Sequence, residues 1–225
     1  LKNASIAADI IGISGNPVRR IRLHIDHPYS FTSGQHLNIV APDGLLIPMS
    51  IASAPERLPE LELHYRPVTG ASEAETLNIL LEGKQLHITP AQGEVGSGEP
   101  VEELFIIAGG SGAAQAFSCA EHRAAINAEG ATVILWCADE SRDIYDQETL
   151  RAMQNVELHV CIDNRRTPEN EGLVWLTRHA HRFINAYVLI AGSPGFVYTV
   201  TDLLEATGFS PQQLHADAYA YAPRS

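Results

Sequence analysis

"LFIIAGGSGAA", Leu104 to Ala114, decides the fold. Five apolar residues in a row cannot alternate between core and solvent, so Leu104 to Ala108 read as a strand covered on both faces, as in a parallel sheet. Gly109, Gly110, Ser111 and Gly112 follow at once, and "AAQAFSCAEHRAAINAEG" after them has the composition of a helix. A strand that turns through glycines into a helix brings free backbone amides and the positive end of a helix dipole together, which suits a pyrophosphate. The strict G-x-G-x-x-G/A spacing is not met, because Gln115 stands where the last small residue belongs.

Toward the C-terminus the same strand type recurs in "TVILWCAD", "VELHVCID" and "YVLIAGSPG", with helical "EGLVWLTRHAHRF" and "VYTVTDLLEATG" between and after them. "LHADAYAY" reads as a closing strand. Alternation of this kind predicts an α/β parallel-sheet nucleotide-binding domain with its ligand at the carboxyl ends of the strands. "LIAGSPG" repeats the glycine-bearing turn and adds Gly192, Ser193 and Pro194 to the first set.

Before Leu104 the pattern is different. "IAADIIGIS", "VRRIRLHI", "HLNIVAP", "LIPMSIAS", "ELELHYRP" and "QLHITPAQG" are short strands separated by "SGNP", "TSGQ", "APDG" and "SAPERLP". Only "SEAETLNILLEG" has helical spacing, at Leu77, Leu80 and Leu81. Six such strands with one helix predict a closed antiparallel β-barrel, which leaves no exposed edges. The expected division is residues 1–98 for the barrel and 99–225 for the α/β domain.

The 225 residues carry 27 acidic against 15 basic side chains, a net charge of -12, which argues against a nucleic-acid partner and an anionic membrane surface. No apolar run is long enough to span a bilayer, so no membrane insertion is expected, and "LKNASIAADI" lacks the layout of a secretory signal. Cys119, Cys137 and Cys161 are widely spaced and odd in number, which points to a reducing, cytoplasmic setting and excludes a clustered iron–sulfur site. The "HAH" at His179 and His181 reads as surface helix, and no metal site is expected.

The order of the parts, a barrel, "IPMS", "GGSGAA", "AGSPG" and a C-terminal aromatic segment, resembles the ferredoxin–NADP reductase superfamily and most closely its flavin reductase branch. The resemblance runs over nearly the whole chain. It implies FAD or FMN between the domains and NADH or NADPH on the α/β domain. In that family an Arg-x-aromatic-Ser segment lies on the flavin and its Ser bonds the N5 edge. "IPMS" takes that place, so Ser50 is implied as the catalytic hydroxyl, with Pro48, Met49 and Ile51 beside it. Ile47 replaces the family's Arg, Met49 its aromatic, and Ala191 the Cys that many members carry, which flavin reductases also lack.

"LELHYRPVTGAS" resembles the family's second flavin stretch. It implies His64 or Tyr65 facing the ligand, since the two alternate along a strand, and Arg66 and Ser72 at the phosphate end. "HADAYAYAPRS" resembles the family's closing strand, with Tyr219 and Tyr221 on one face to shield the ring. On the nucleotide side, Asp139 closes the second α/β strand and suits the ribose hydroxyls of NADH, whereas Arg142 suits the NADPH phosphate. The firmer placement of Asp139 favours NADH.

The implied reaction is hydride transfer from NAD(P)H to flavin N5, with reduced flavin released, or its electrons passed on, to a monooxygenase or another electron-acceptor protein. Two alternatives remain open at this point. One is a reductase component that retains its flavin; the other is a flavin- or nucleotide-binding subunit without turnover.

Overall fold

The computed structural model describes residues 5–67, 70–94 and 102–224. The boundary expected between 98 and 99 lies outside the described residues. Six strands form the first unit: β1 (Ile6–Ser14), β2 (Arg19–His24), β3 (His36–Val40), β4 (Leu46–Ser50), β5 (Glu60–Tyr65) and β6 (Gln85–Ile88). They pair antiparallel in the order β4-β3-β6-β1-β2-β5. The Ile51–Leu63 bridge and the Ala52 amide, 2.8 Å from the Glu62 carbonyl, close the two ends into a barrel.

Alternation fills the interior: Ile21 and Leu23, Leu37 and Ile39, Ile47 and Met49, Leu61 and Leu63, and Leu86 and Ile88 all point inward. Helix α1 (Ser72–Leu80) caps this core through Ala74 and Leu77, joined by Leu81 beyond its end. β5 breaks the alternation, being buried on both faces from Leu61 to Tyr65, because its outer residues Glu62 and His64 meet the second unit.

That unit is a parallel sheet of β7 (Leu104–Gly109), β8 (Thr132–Ala138), β9 (Val156–Ile162), β10 (Tyr187–Ala191) and β11 (Leu214–His215), in the order β11-β10-β7-β8-β9. Alternate residues of the central strands enter different layers. Ile106, Ile134 and Trp136 pack on α2 (Ala113–Ala125) and α3 (Gln147–Arg151). Phe105, Leu135 and Val188 pack on α4 (Glu171–His179) and α5 (Pro194–Ala206). The chain leaves β7 toward β8 and β9, and leaves β10 toward β11 on the other side. The carboxyl ends of β7 and β10 are therefore the topological switch point, where open α/β sheets bind ligands.

The closing strand differs from its sequence reading. β11 ends at His215, and Ala218–Tyr221 form a short helix, α6, in keeping with the helix-favouring alanines. Successive helical residues turn by about 100°, so Tyr219 and Tyr221 face roughly opposite ways instead of sharing a strand face. Among the described residues no helix is long and apolar enough to cross a membrane.

The two units are joined by polar contacts that explain the small residues after Ser50. Ala52, Ser53 and Ala54 are buried against α2. The Ser118 hydroxyl donates to the Ser53 carbonyl at 2.7 Å, and the Ala54 amide donates to Glu121 at 2.7 Å. Gln115 donates to the Gly34 carbonyl at 2.6 Å and to Asp217 at 2.9 Å. A Gly or Ala at 115 would meet the dinucleotide fingerprint but lose both bonds.

A second junction lies on the outer face of β5. Arg20 pairs with Glu62 at 2.6 Å and with Asp146, tying β2 and β5 to the loop after β8. Glu62 accepts from His64 Nε2 at 2.9 Å, which leaves Nδ1 to accept from the Tyr145 hydroxyl, also at 2.9 Å. This arrangement uses neutral His64. Burial lowers the imidazole below its usual range, against the pull of Glu62. Burial alone would raise Glu62, but hydrogen bonds from His64 and Arg20 outweigh it and hold the carboxyl at about 2.

Both groups have folded-state values below their unfolded ones, so the stability they contribute is present at neutral pH and is lost on acidification. The loss is expected to begin below about pH 6.5 through His64 and to deepen below about pH 4.5 through Glu62. Thermal unfolding between pH 7 and pH 3 checks this. Glu62→Gln should lower Tm at pH 7 and flatten the acid limb; an acid limb as steep as that of the native protein would place the titrating groups elsewhere.

Candidate active site

At the switch point the first glycine turn is held from several sides. Gly110 has φ +54, the left-handed region that glycine adopts without strain, and its carbonyl accepts from Trp136 Nε1 at 3.0 Å. Gly112 is needed for a different reason. A Cβ there would lie 2.5 Å from the Ala191 carbonyl oxygen and 2.9 Å from the Gly192 nitrogen, so the two glycine turns can touch only without a side chain. In the second turn Pro194 opens α5, and the Ser193 hydroxyl caps it by accepting from the Phe196 amide at 3.4 Å.

Gly112→Ala is accordingly expected to force the turns apart and to cost about 1–3 kcal/mol, the usual range for overpacking. Thermal unfolding reads the loss, and dinucleotide affinity should fall with it. A variant with native Tm and affinity would show that the turns separate freely.

A cleft of about 890 Å³ runs along these turns and the carboxyl ends of β8 and β9. Of the residues expected at the dinucleotide, Gly109, Gly110, Ser111, Asp139 and Ser193 line it. Gly112, Gly192 and Pro194 belong to the same turns but do not line it. Arg142 is not brought in: it is exposed and pairs with Glu140 at 2.6 Å. Cys137 lines the cleft, but burial pushes its thiol up to about 12, so it stays protonated at neutral pH.

Arg66 changes side relative to the sequence reading. It shares the outer face of the β5 segment with Glu62 and His64, donates from Nε to Asp143 at 2.7 Å and lines this cleft. Ser72 is exposed at the start of α1, where Glu73 and Glu75 occupy the first turn and Ser72 donates to Glu73. Two carboxylates oppose an anion there and offset the helix dipole.

The barrel residues sort by face. Met49 and Ile51 have their side chains in the barrel core, as does Ile47 at 5% exposure, so none of the three presents its side chain on the outer face. Tyr65 also points inward and donates to the Ala74 carbonyl at 3.2 Å. His64 is enclosed between Phe117, Tyr145 and Glu62. Tyr219 stands against α5 with its hydroxyl 2.7 Å from that of Thr201, while Tyr221 is 64% exposed.

Pro48 and Ser50 remain on the outer face of β4. Ser50 is half-buried, and among the described residues its hydroxyl has no hydrogen-bond partner. It is paired in register with His36. His36 Nδ1 lies 3.3 Å from Asp217, too poorly aligned to be a hydrogen bond, and the Asp217 carboxylate accepts from Gln115. Gly93 completes this corner, because a Cβ there would lie 2.9 Å from Asp217 and 3.1 Å from His36. Ser50 therefore sits where β4, the end of α2 near the glycine turn and the C-terminal segment converge.

Sequence reasoning missed His36, Gln115 and Asp217 in this corner, and Arg165 and Arg166 in the cleft. Gln115 carried a signal, its departure from the fingerprint. The "DNRR" after the third α/β strand carried another, since it stands at a carboxyl strand end.

No protein-family model matches the chain. A probable flavin reductase from Vibrio harveyi is 26% identical over 223 residues, covering 90% of this chain and 93% of the relative. The ferredoxin–NAD(P)(+) reductase component of the naphthalene 1,2-dioxygenase system from Pseudomonas putida is 22% identical over 90% of this chain, which spans 64% of that relative. Among solved structures, an Amycolatopsis cytochrome P450 reductase superposes with a TM-score of 0.80 at 18% identity, over 95% of this chain and 69% of that one. The ferredoxin-NADP+ reductase of Plasmodium falciparum gives 0.76 at 14% identity, over 95% of each chain. A barrel followed by a parallel sheet with two glycine turns at its switch point, superposing over nearly the whole chain on these solved structures, shows that the chain has the fold of the ferredoxin–NADP reductases, and its sequence is similar along nearly its full length to a flavin reductase and to a ferredoxin reductase component.

Proposed function

We propose that the protein is an NAD(P)H:flavin oxidoreductase whose flavin, FAD or FMN, behaves as an exchanging substrate. The observation that carries this reading is a half-buried serine hydroxyl on the barrel, without a hydrogen-bond partner among the described residues, in a corner shared with His36, Asp217 and the Gln115 of the helix that follows the first glycine turn. When bound, the flavin ring supplies the acceptor for the hydride of NAD(P)H. Ser50 orients the ring by donating to its N5 edge, and the glycine turns fix the pyrophosphate so that the nicotinamide is held at the junction.

The flavin's phosphate end argues for exchange. Ile47 is in the core, Arg66 is engaged by Asp143 on the dinucleotide side, and Ser72 is flanked by two glutamates. None of these positions offers a cation to a flavin phosphate, so ring contacts supply the affinity. Reduced flavin then leaves for an acceptor such as a monooxygenase. The three cysteines are all free thiols, which supports a cytoplasmic setting.

The test is NADH and NADPH oxidation with riboflavin, FMN and FAD, beside an absorbance spectrum of the purified protein. Turnover with all three flavins and little retained flavin supports the reading; absence of turnover overturns it. The relationship to a dioxygenase reductase component favours a second reading, electron delivery to a protein partner. One tightly retained flavin per chain would support that one instead.

A further inference from the structure

Resting on the reading of the cleft as a dinucleotide site, we propose that His64 is a proton-controlled positioning residue: neutral, it holds the loop after β8 that forms one wall of the cleft, and protonated, it releases that loop and weakens dinucleotide binding. His64 lies on the outer face of β5, its side chain 1% exposed, at the junction of the two units. Tyr145 reaches it from the segment between β8 and α3, with its hydroxyl 2.9 Å from Nδ1. Among the described residues this is the only hydrogen bond of that hydroxyl. The phenol ring is set among those of Phe117, Trp136 and His64, with centroids 5.8, 5.0 and 5.1 Å away.

The same loop builds the cleft. Two residues before Tyr145, Asp143 lines it and accepts at 2.7 Å from Nε of Arg66, a second lining residue. One residue after Tyr145, Asp146 pairs with Arg20 and accepts from the Thr149 hydroxyl at 2.8 Å at the start of α3. Three ties therefore join the loop to the barrel: Arg66–Asp143, His64–Tyr145 and Arg20–Asp146. Two are arginine–carboxylate pairs, and the middle one depends on the proton state of an imidazole.

Hydrogen bonding fixes which nitrogen of that ring carries the proton. Nε2–H donates to Glu62 at 2.9 Å, so Nδ1 presents a lone pair to the phenol hydrogen. A proton added at Nδ1 replaces the lone pair with a second donor. The phenol hydrogen must then turn toward Phe117 and Trp136, where it meets no acceptor, and a buried donor without an acceptor is unfavourable. Burial opposes the added proton most; Glu62 and Asp146 favour it, and Arg20, paired with both, opposes it. Arg57, between Glu62 at 3.7 Å and Glu121 at 3.5 Å, completes the charged groups of the junction. His64 is accordingly neutral at neutral pH, and the loop is released as the pH falls below about 6.5. Linkage requires the reverse as well: a dinucleotide bound in the cleft expels a proton from His64.

Calorimetric titration with NAD+, whose pyrophosphate keeps its charge between pH 7.5 and pH 5, reads the coupling without turnover. The native protein should bind NAD+ about fivefold or more weakly at pH 5 than at pH 7.5. At pH 6 binding should release protons, seen as a binding enthalpy that varies with the ionisation enthalpy of the buffer. His64→Gln, whose amide can donate to Glu62 and accept from Tyr145 without titrating, should bind at pH 7.5 within about threefold of the native protein and lose the pH dependence. Tyr145→Phe keeps the ring, removes the hydroxyl and should flatten the profile too. The loop has its own readout in hydrogen exchange of the Asp143 and Ile144 amides, which bond to the Glu140 and Ser141 carbonyls. Corrected for its intrinsic pH dependence, that exchange should quicken on acidification in the native protein and not in His64→Gln. Binding by the native protein that ignores pH, a native-like pH profile in either variant that folds, or loop exchange unmoved by pH would each overturn the proposal. If NAD+ binds at no pH and no flavin supports NAD(P)H oxidation, the parent reading has failed, and the exchange measurement still decides whether His64 controls the loop.

Discussion

Replacing Ser50 with alanine is expected to slow flavin reduction by roughly ten- to a hundredfold while leaving the fold intact. The expectation has two parts, both from the position of the side chain. Ser50 is the last residue of β4, on its outer face, so its hydroxyl contributes nothing to the barrel core and its loss opens no cavity. Among the described residues that hydroxyl also makes no internal hydrogen bond, and its removal strands no partner. On the proposed function, what is lost is a donor toward the flavin ring. A hydrogen bond to a group whose charge changes in the reaction is worth about 1–3 kcal/mol, which gives the stated factor in rate. Stopped-flow reduction at saturating flavin and NADH, together with thermal unfolding, checks both parts. Native-like Tm with a slowed rate is the expected pair; an unchanged rate would remove Ser50 from the site.

Both layers of the fold were legible because their periods differ: alternation filled the barrel, and uninterrupted apolar runs marked the buried parallel strands. The switch-point turns were legible for a related reason, since only glycine fits at Gly112 and is unstrained at Gly110. Pairing between distant segments was not legible. Asp139 can be placed at a strand end from sequence, but its partner Arg166 lies 27 residues on, and nothing local distinguishes that arginine from Arg142. Gln115 and Asp217 are 102 residues apart and meet only when the domains dock. Face was the other failure. Met49, Ile51 and Tyr65 were assigned to the flavin by their place in a motif, while strand parity puts their side chains with Ile47 and Leu63 in the core. The C-terminal "AYAY" has β-favouring tyrosines, yet it forms a helical turn once β11 ends.

Restoring the family's arginine at Ile47 shows what that parity implies. From motif alone, Ile47→Arg would supply a guanidinium to the phosphate of FMN or FAD and tighten both relative to riboflavin. The structure sets a different expectation. Ile47 is 5% exposed, opposite Ile39 in the register of β3 and β4, within a core cluster that includes Met49, Leu37 and Ile88. An arginine side chain there must either place its charge among apolar groups without a carboxylate partner or drive β4 outward to reach water. An uncompensated buried charge costs about 3–5 kcal/mol. For a chain of this length, that corresponds to a fall in Tm of roughly 6–20 °C. The same displacement of β4 would move Ser50, three residues on, so flavin reduction should slow with FMN, FAD and riboflavin alike. Thermal unfolding and the three flavin affinities decide between the two expectations. A variant that keeps its Tm and binds FMN and FAD selectively would show that position 47 opens onto the flavin phosphate. A large loss of Tm with no selectivity would show that the barrel core, and not the cofactor, determines the residue at this position.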